Sequence, residues 1–430
     1  MRSSTLTRKR ALQRLLLLFL SMTLGLSLAQ APTVVTVGTI FPYTGGGAEW
    51  GPVLRNTAEL AAQQLNEAAQ EVFGGPIIEL VFEDSATNPT IGVERARKLV
   101  DVDAVPVVIG TWSSGVATAI AESVTMPNGI LHVVPIATSP LITVLPSDTD
   151  DLLFRTIGSD AQQGVVAAQL ARGEIVDGVS YDTASIIFVN NPYGQGLADT
   201  FVNSFEARGG TVLNSIAVPE EPQPTYTAQI EQALEGDPDV LLPIVYPSQG
   251  SVMLAEMRDT YEFTEWQFMD AMRALDVIEA VGGDVVAGAY GTTPAADEES
   301  EGYRAYAEAY AAQFGEEPPL SFMDTTYDAV IATGLAIAGV VAEGLEPTPV
   351  NLRDQLRRTA TAPGERVGVG EYARAMQLLA DGEDIDFSGA AGEVEFDDNG
   401  QVITPVEVWT FSTDGIDTVR ILGSDAIPQE

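Results

Sequence analysis

VVIGTWSSGVATAIAES, Val107 to Ser123, carries the two halves of one structural unit. Val107, Val108 and Ile109 are β-branched and apolar, as a buried strand requires. Gly110 ends the run, Ser113 and Ser114 follow, and alanines and other small residues then favour a helix. A strand that turns through hydroxyl residues into a helix is half of a βαβ crossover, and the rest of the chain repeats this pattern.

Apolar runs predict strands at Val34–Thr39, Ile77–Glu83, Val105–Ile109, Ile130–Ile136, Ala184–Val189, Val212–Val218, Val240–Val245, Trp266–Met269 and Val285–Tyr290. Between them, helices are predicted at Leu54–Val72, Ile91–Asp101, Val116–Thr125, Asp160–Val176, Gly196–Arg208, Tyr226–Glu235 and Gln249–Thr260. Such alternation predicts an α/β protein with parallel sheets covered on both faces, the pattern running once before about Gly158 and once after it. The tail reads differently. Helices are expected at Tyr303–Phe314, Phe322–Glu343 and Asn351–Thr361, then a Gly- and acid-rich surface excursion over Pro363–Phe387. GEVEFDDNGQVITPVEVWTF predicts two strands turning at Asn399–Gly400.

The ends and the composition narrow the function. Five basic residues up to Arg14, an apolar stretch from Leu15 to about Leu28 and small residues around Ala29 have the form of a signal peptide over residues 1–29. No cysteine follows it, so no lipid anchor is expected, and no other run is expected to reach transmembrane length. The expectation is a secreted periplasmic or extracellular protein. Five of the 21 basic residues and none of the 61 acids lie in that leader, which leaves the mature chain at −45. Such a field opposes nucleic acid and anionic membrane surfaces. With no cysteine, disulfides and thiolate chemistry are excluded.

Enzyme chemistry finds little support. His132, the single histidine, lies in the apolar run GILHVVPIA and reads as a core residue. There is no G-x-S-x-G elbow, and Lys98 falls on a predicted surface helix. FDDNG at Phe396–Gly400 lacks the spacing of a calcium loop, so no metal is expected. TGGGAEWG at Thr44–Gly51 lacks the lysine of a phosphate loop, so no nucleotide cofactor is expected. The serines after Val107–Gly110 and Thr138-Ser139 of VVPIATSP each sit where a strand ends and helical N–H groups face outward. Taken alone, that pattern fits helix caps and a carboxylate cradle equally.

The motifs GTIFPYTGGGAEWG, FEDSATNP, VVIGTWSSG, VVPIATSP, LLFRTIGSDAQQG, VNNPYGQG and FDDNG, in this order, resemble the periplasmic leucine/isoleucine/valine-binding proteins of ABC transporters from about Val34 to Thr413. The resemblance implies two doubly wound Rossmann-like lobes joined by three crossover strands, a type I periplasmic binding fold. Lobe 1 would comprise 32–157 plus 291–388 and lobe 2 158–290 plus 389–425, with crossings near Thr156–Gly158, Tyr290–Thr292 and Ser388–Gly392. Ser114 and Thr138 match the positions that hold the ligand carboxylate, and Ile136 the carbonyl that receives the ammonium. Trp50, Tyr193 and Tyr246 match aromatic residues that wall and close the pocket. One position departs from the pattern. Where amino-acid binders carry an acid after the QFM strand, the count along WQFMDAMRALD falls on Met272, with Arg273 next and Asp270 two residues earlier. If Asp270 restores the pair, an amino acid is expected; if not, an amine-free carboxylate or one with a second anion for Arg273 is.

The expectation is therefore a monomeric, non-enzymatic substrate-binding protein without a cofactor. It would capture a small carboxylate-bearing solute, most readily an aliphatic amino acid, and deliver it to an ABC permease in the inner membrane. A sensor feeding a signalling receptor, or a binder of short amides or urea, is the alternative.

Overall fold

A computed structural model describes residues 32–296, 298–423 and 426–427; the expected leader at 1–29 lies outside them. In the first lobe, β1 (Val35–Phe41) is followed by α1 (Trp50–Val72), β2 (Ile78–Asp84), α2 (Pro89–Asp101), β3 (Val107–Gly110), α3 (Ser114–Ile120), β4 (Leu131–Val134) and β5 (Leu153–Arg155). The strands form one parallel sheet in the order β2-β1-β3-β4-β5. Helix α1 buries Leu54, Ala58, Ala61, Leu65 and Ala69, the i, i+4, i+7 stripe that its sequence spacing dictates. Helix α2 starts where Pro89 presets the backbone and Asn88 accepts from the N–H groups of Thr90 and Ile91.

In the second lobe α4 (Asp160–Ala171), β6 (Thr183–Val189), α5 (Pro192–Ala207), β7 (Thr211–Val218), α6 (Thr227–Ala233), β8 (Val240–Ile244), α7 (Pro247–Tyr261) and β9 (Gln267–Phe268) repeat the alternation. Here β7-β6-β8 is parallel, and the bridge between Leu241 and Trp266 continues it toward β9. Then come α8 (Leu275–Val281) and α9 (Gly283–Val286), the latter taking the first two residues of the stretch expected as strand Val285–Tyr290. The strand β10 begins only at Tyr290 and runs to Pro294, because Gly282 and Gly288, both with positive φ, bracket a short helix instead.

The chain returns to the first lobe with α10 (Glu301–Phe314), α11 (Met323–Glu343) and α12 (Pro349–Ala360). Helix α11 has the length and apolarity of a membrane span, contrary to the expectation of none beyond the leader, but 89% of its apolar window is buried inside the fold. It packs against α1 and α12 as a core helix. The expected surface excursion contains β11 (Glu365–Val367), α13 (Tyr372–Ala380) and β12 (Ile385–Phe387). Its apolar residues Tyr372, Ala375, Met376 and Leu379 are spaced for a helix and are buried against α1 and α11. The chain ends with β13 (Val406–Phe411) and β14 (Ile416–Leu422), which extend the second sheet as β9-β10-β13-β14.

The segment around FDDNG makes the expected turn, with Gly400 N–H donating to Asp397 O at 3.0 Å, but it joins no hairpin of two full strands. Val406–Phe411 pairs instead with β10 and β14, and Arg155 N–H donates to Gly400 O at 2.8 Å. Residues 389–402, expected with the second lobe, are thereby held in the first. Ala390 and Ala391 donate to the Asp328 carboxylate of α11, and Phe396 meets Phe154 edge-on at 5.1 Å. The third crossing thus lies near Val402–Pro405, where Ala295 N–H donates to Pro405 O at 3.0 Å. The second follows Pro294, since β10 as far as Pro294 pairs within the second sheet.

Candidate functional site

In the first sheet the strand order reverses between β1 and β3, so a crevice opens at their carboxyl ends. Trp50 enters it at the start of α1 and Trp112 from the turn after β3, their rings 5.1 Å apart. Gly47 is needed there because a Cβ would meet the Trp112 ring at 2.8 Å. Trp112 meets Tyr246 of the second lobe at 4.8 Å, and Tyr246 stacks on Tyr193 at 5.8 Å and 10°. Four aromatic rings therefore run unbroken from one lobe to the other.

The polar side of the crevice comes from two strand ends. Ser114 opens α3 after its N-cap Ser113, and Ser139 N–H donates to Ser114 Oγ at 3.3 Å. Beneath the loop after β4, the buried Arg155 guanidinium donates to the carbonyls of Thr138 (3.0 Å) and Ser139 (2.9 Å), to Thr143 Oγ1 (3.0 Å) and to Gln401. Burial pushes Arg155 down to about 10, still charged at neutral pH. A fixed cation thus sets the loop that carries Ile136 and Thr138.

Asp270 supplies the negative side. After β9 the chain winds into a short 3-10 turn, Asp270–Met272, so alternation no longer governs which residues face the crevice. Tyr193 Oη donates to Asp270 Oδ1 at 2.8 Å and Gln163 Nε2 donates to the same oxygen at 3.1 Å. Burial raises the Asp270 carboxyl above the usual carboxylate range, and these two donors draw it back.

Seven of the eight expected residues line one small cavity: Trp50, Ser114, Ile136, Thr138, Tyr193, Tyr246 and Asp270. Met272 does not. It belongs to the second lobe's core and packs its thioether on Gly250, where there is no room for a Cβ. Arg273 is also elsewhere, on a larger hinge cavity of about 270 Å³, engaged with Glu407 at 3.3 Å and Ser321. Arg273 is therefore not among the residues that line the crevice. His132 is in the core, with Nε2 2.8 Å from Gly110 O and Nδ1 3.2 Å from Thr125 Oγ1. Lys98 is an exposed partner of Glu83 and Asp103.

Sequence reasoning missed Trp112, Ala271 and Phe322, which complete the lining, and Gln163, Asn191 and Glu220 behind it. Trp112 and Gln163 stood inside quoted motifs, WSSG and DAQQG, and Asn191 in NNPYGQG. Glu220 carried no signal. Asn191 Nδ2 donates to Glu220 Oε1 (2.9 Å) and Tyr246 Oη (2.9 Å), while Ser113 Oγ donates to Glu220 Oε1 (3.4 Å). With Ser139 Oγ donating to Pro192 O at 2.8 Å, these contacts close the rim between lobes. The cavity that remains is about 20 Å³, little more than one water needs.

The sequence pattern of the periplasmic binding protein family matches residues 34–409. The Leu/Ile/Val-binding protein BraC3 of Rhizobium johnstonii is 30% identical over 341 residues, 78% of this chain and 88% of that one. The structure of LivJ from Streptococcus pneumoniae in complex with isoleucine superposes with a TM-score of 0.72 at 18% identity, covering 91% of this chain and 100% of that one. A solute-binding protein from R. palustris in complex with benzoate superposes with a TM-score of 0.70 at 18% identity, covering 92% and 99%. On this one fold, those two proteins hold a solute with an amine and a solute without one.

Proposed function

Since the chain belongs to the periplasmic binding protein family, among the leucine/isoleucine/valine-binding substrate-binding proteins of ABC transporters, we propose that its crevice captures a free aliphatic α-amino acid. The observation that carries this reading is the Asp270 carboxylate in the crevice lining, opposite the Ser114 and Thr138 hydroxyls. An amino acid presents one anion and one cation within a few ångströms. The Ser114 hydroxyl and the Thr138 hydroxyl and N–H would take its carboxylate, and the Ile136 carbonyl and Asp270 its ammonium. A buried carboxylate left without a cation costs several kcal/mol, so an amine-free acid is disfavoured here. Trp50, Trp112 and Tyr246 would wall the side chain, and closure of the second lobe over Tyr193 would seal it. Release would hand the solute to a membrane permease, with no bond made or broken by this protein.

Isothermal titration of the mature protein, stripped of carried ligand, with isoleucine, leucine, valine and alanine against the same acids lacking the amine tests the reading. Binding confined to the amino acids supports it. Binding confined to amine-free acids overturns it.

A further inference from the structure

The crevice has a second acid behind its lining. Asp160 is the first residue of α4 and is fully buried. Its N–H donates to Thr138 O at 2.9 Å, yet neither carboxylate oxygen meets a donor of good hydrogen-bond geometry. Such a group calls for an explanation. Its place relative to Asp270 follows from the helix. Gln163 lies three residues on, on the same face of α4, and it is Gln163 that donates to Asp270. One helical turn thus carries Asp160 at one end and contacts Asp270 at the other.

The groups facing Asp160 are few. Asp270 comes from the turn after β9, Tyr193 from α5, and Arg155 and the Thr138 hydroxyl from the first lobe. The terminal nitrogens of Arg155 donate to Thr138, Ser139, Thr143 and Gln401, while its Nε meets no hydrogen-bond partner. On β13, which also packs on α4, Glu407 is engaged by Arg273. Burial, and next the charge of Asp270, hold the Asp160 carboxyl well above the usual range, while Thr138 and Arg155 oppose this. Two buried carboxylates that raise one another's proton affinity do not ionise together cheaply.

We propose that Asp160 and Asp270 hold one proton between them while the crevice is empty, and that an ammonium arriving at Asp270 expels this proton to the solvent. Asp160 is then a positioning residue. It fixes the Thr138 loop and sets the charge of the site, so that a solute must bring a positive group to be held. The inference rests on the amino-acid reading above.

Titrations in buffers of different ionisation enthalpy count the protons released per ligand. At the mouth of the crevice Glu49 adjoins Asp276 and is raised to about 7, by burial first and then by Asp276. Glu49 would titrate on closure too, so the series is run in the Glu49→Gln background with the tightest-binding of the four amino acids. The expected result between pH 6 and 8 is release approaching about one proton. Affinity should rise with pH by up to about tenfold per unit and level off once the empty pair has lost its proton. Adding Asp160→Asn should abolish the release while binding persists. A heat of binding independent of buffer in the Glu49→Gln protein overturns the proposal even if Asp160→Asn does not fold. Failure of every amino acid to bind overturns the amino-acid reading instead.

Discussion

Tyr193 donates its phenol hydrogen to Asp270 at 2.8 Å, and through this contact the helix α5 is tied to the floor of the second lobe's half of the crevice. Asp270→Asn keeps the shape and removes the charge. Amino-acid affinity should fall by about a hundredfold or more, the cost of an uncompensated buried ammonium, while amine-free acids should bind no worse. Tyr193→Phe removes one hydrogen bond to a charged group and should cost about ten- to a hundredfold. Calorimetry reads both, with a thermal melt to confirm folding.

The carboxylate cradle predicts a different pattern. Ser114→Ala with Thr138→Ala removes two hydroxyl donors but leaves the Arg155 anchor, which bonds backbone carbonyls rather than these side chains. Affinity should drop by roughly a hundredfold or more at about 1.5–3 kcal/mol per charged hydrogen bond. The melting temperature should change little. Wild-type affinity in the well-folded double variant would refute the cradle.

Two of the four tryptophans, Trp50 and Trp112, line the crevice, while Trp266 and Trp409 are buried in the second lobe's core. Ligand binding should therefore change the emission of the first pair only. Trp112→Phe should remove most of the ligand-induced change in fluorescence. A change that survives in a Trp50→Phe, Trp112→Phe protein would place the reporting motion elsewhere.

His132 gives a pH-dependent stability of definite sign. Burial lowers it to about 4, although the bond to Gly110 O works the other way. The folded state holds the ring neutral, so its contribution is fully present above the unfolded value of about 6.5 and is lost as pH falls from there toward 4. The difference is on the order of 3 kcal/mol for so complete a burial. Wild type minus His132→Gln, by denaturant unfolding at pH 4 to 8, should show stability falling below about pH 6.5. A flat difference curve would mean that the imidazole takes up its proton equally in the folded and unfolded states.

The βα alternation and the serine and threonine at two strand ends were legible in the sequence from local rules, and the aromatic residues from the family resemblance of the motifs around them. Strand and helix periods, breaker residues and motif order identify them without any distant contact. The count along WQFMDAMRALD took the acid position to Met272 and put Asp270 on the same face only for an extended chain, with its period of two. The chain leaves that period at Asp270 and winds into a 3-10 turn, which brings Asp270 to the crevice and turns Met272 toward Gly250. Nothing within WQFMDAMRALD marks that bend.

The hinge makes the same distinction. FDDNG was identified as a turn from its own residues, but its partner is Arg155, 245 residues earlier at Gly400, and that pairing keeps the third crossing from beginning until after Gln401. Likewise Asp160 read as an ordinary first residue of a helix, where an acid suits the dipole. Only the fold buries it and brings Asp270 toward it from a remote segment. The sequence by itself determined the two α/β lobes and most of the residues lining the crevice, since secondary structure and motif order follow from neighbouring residues. Which acid faces the ligand, where the chain crosses, and how the two buried carboxylates share their charge were decided by tertiary structure, because burial and long-range proximity set those energies and neither is encoded within any one segment.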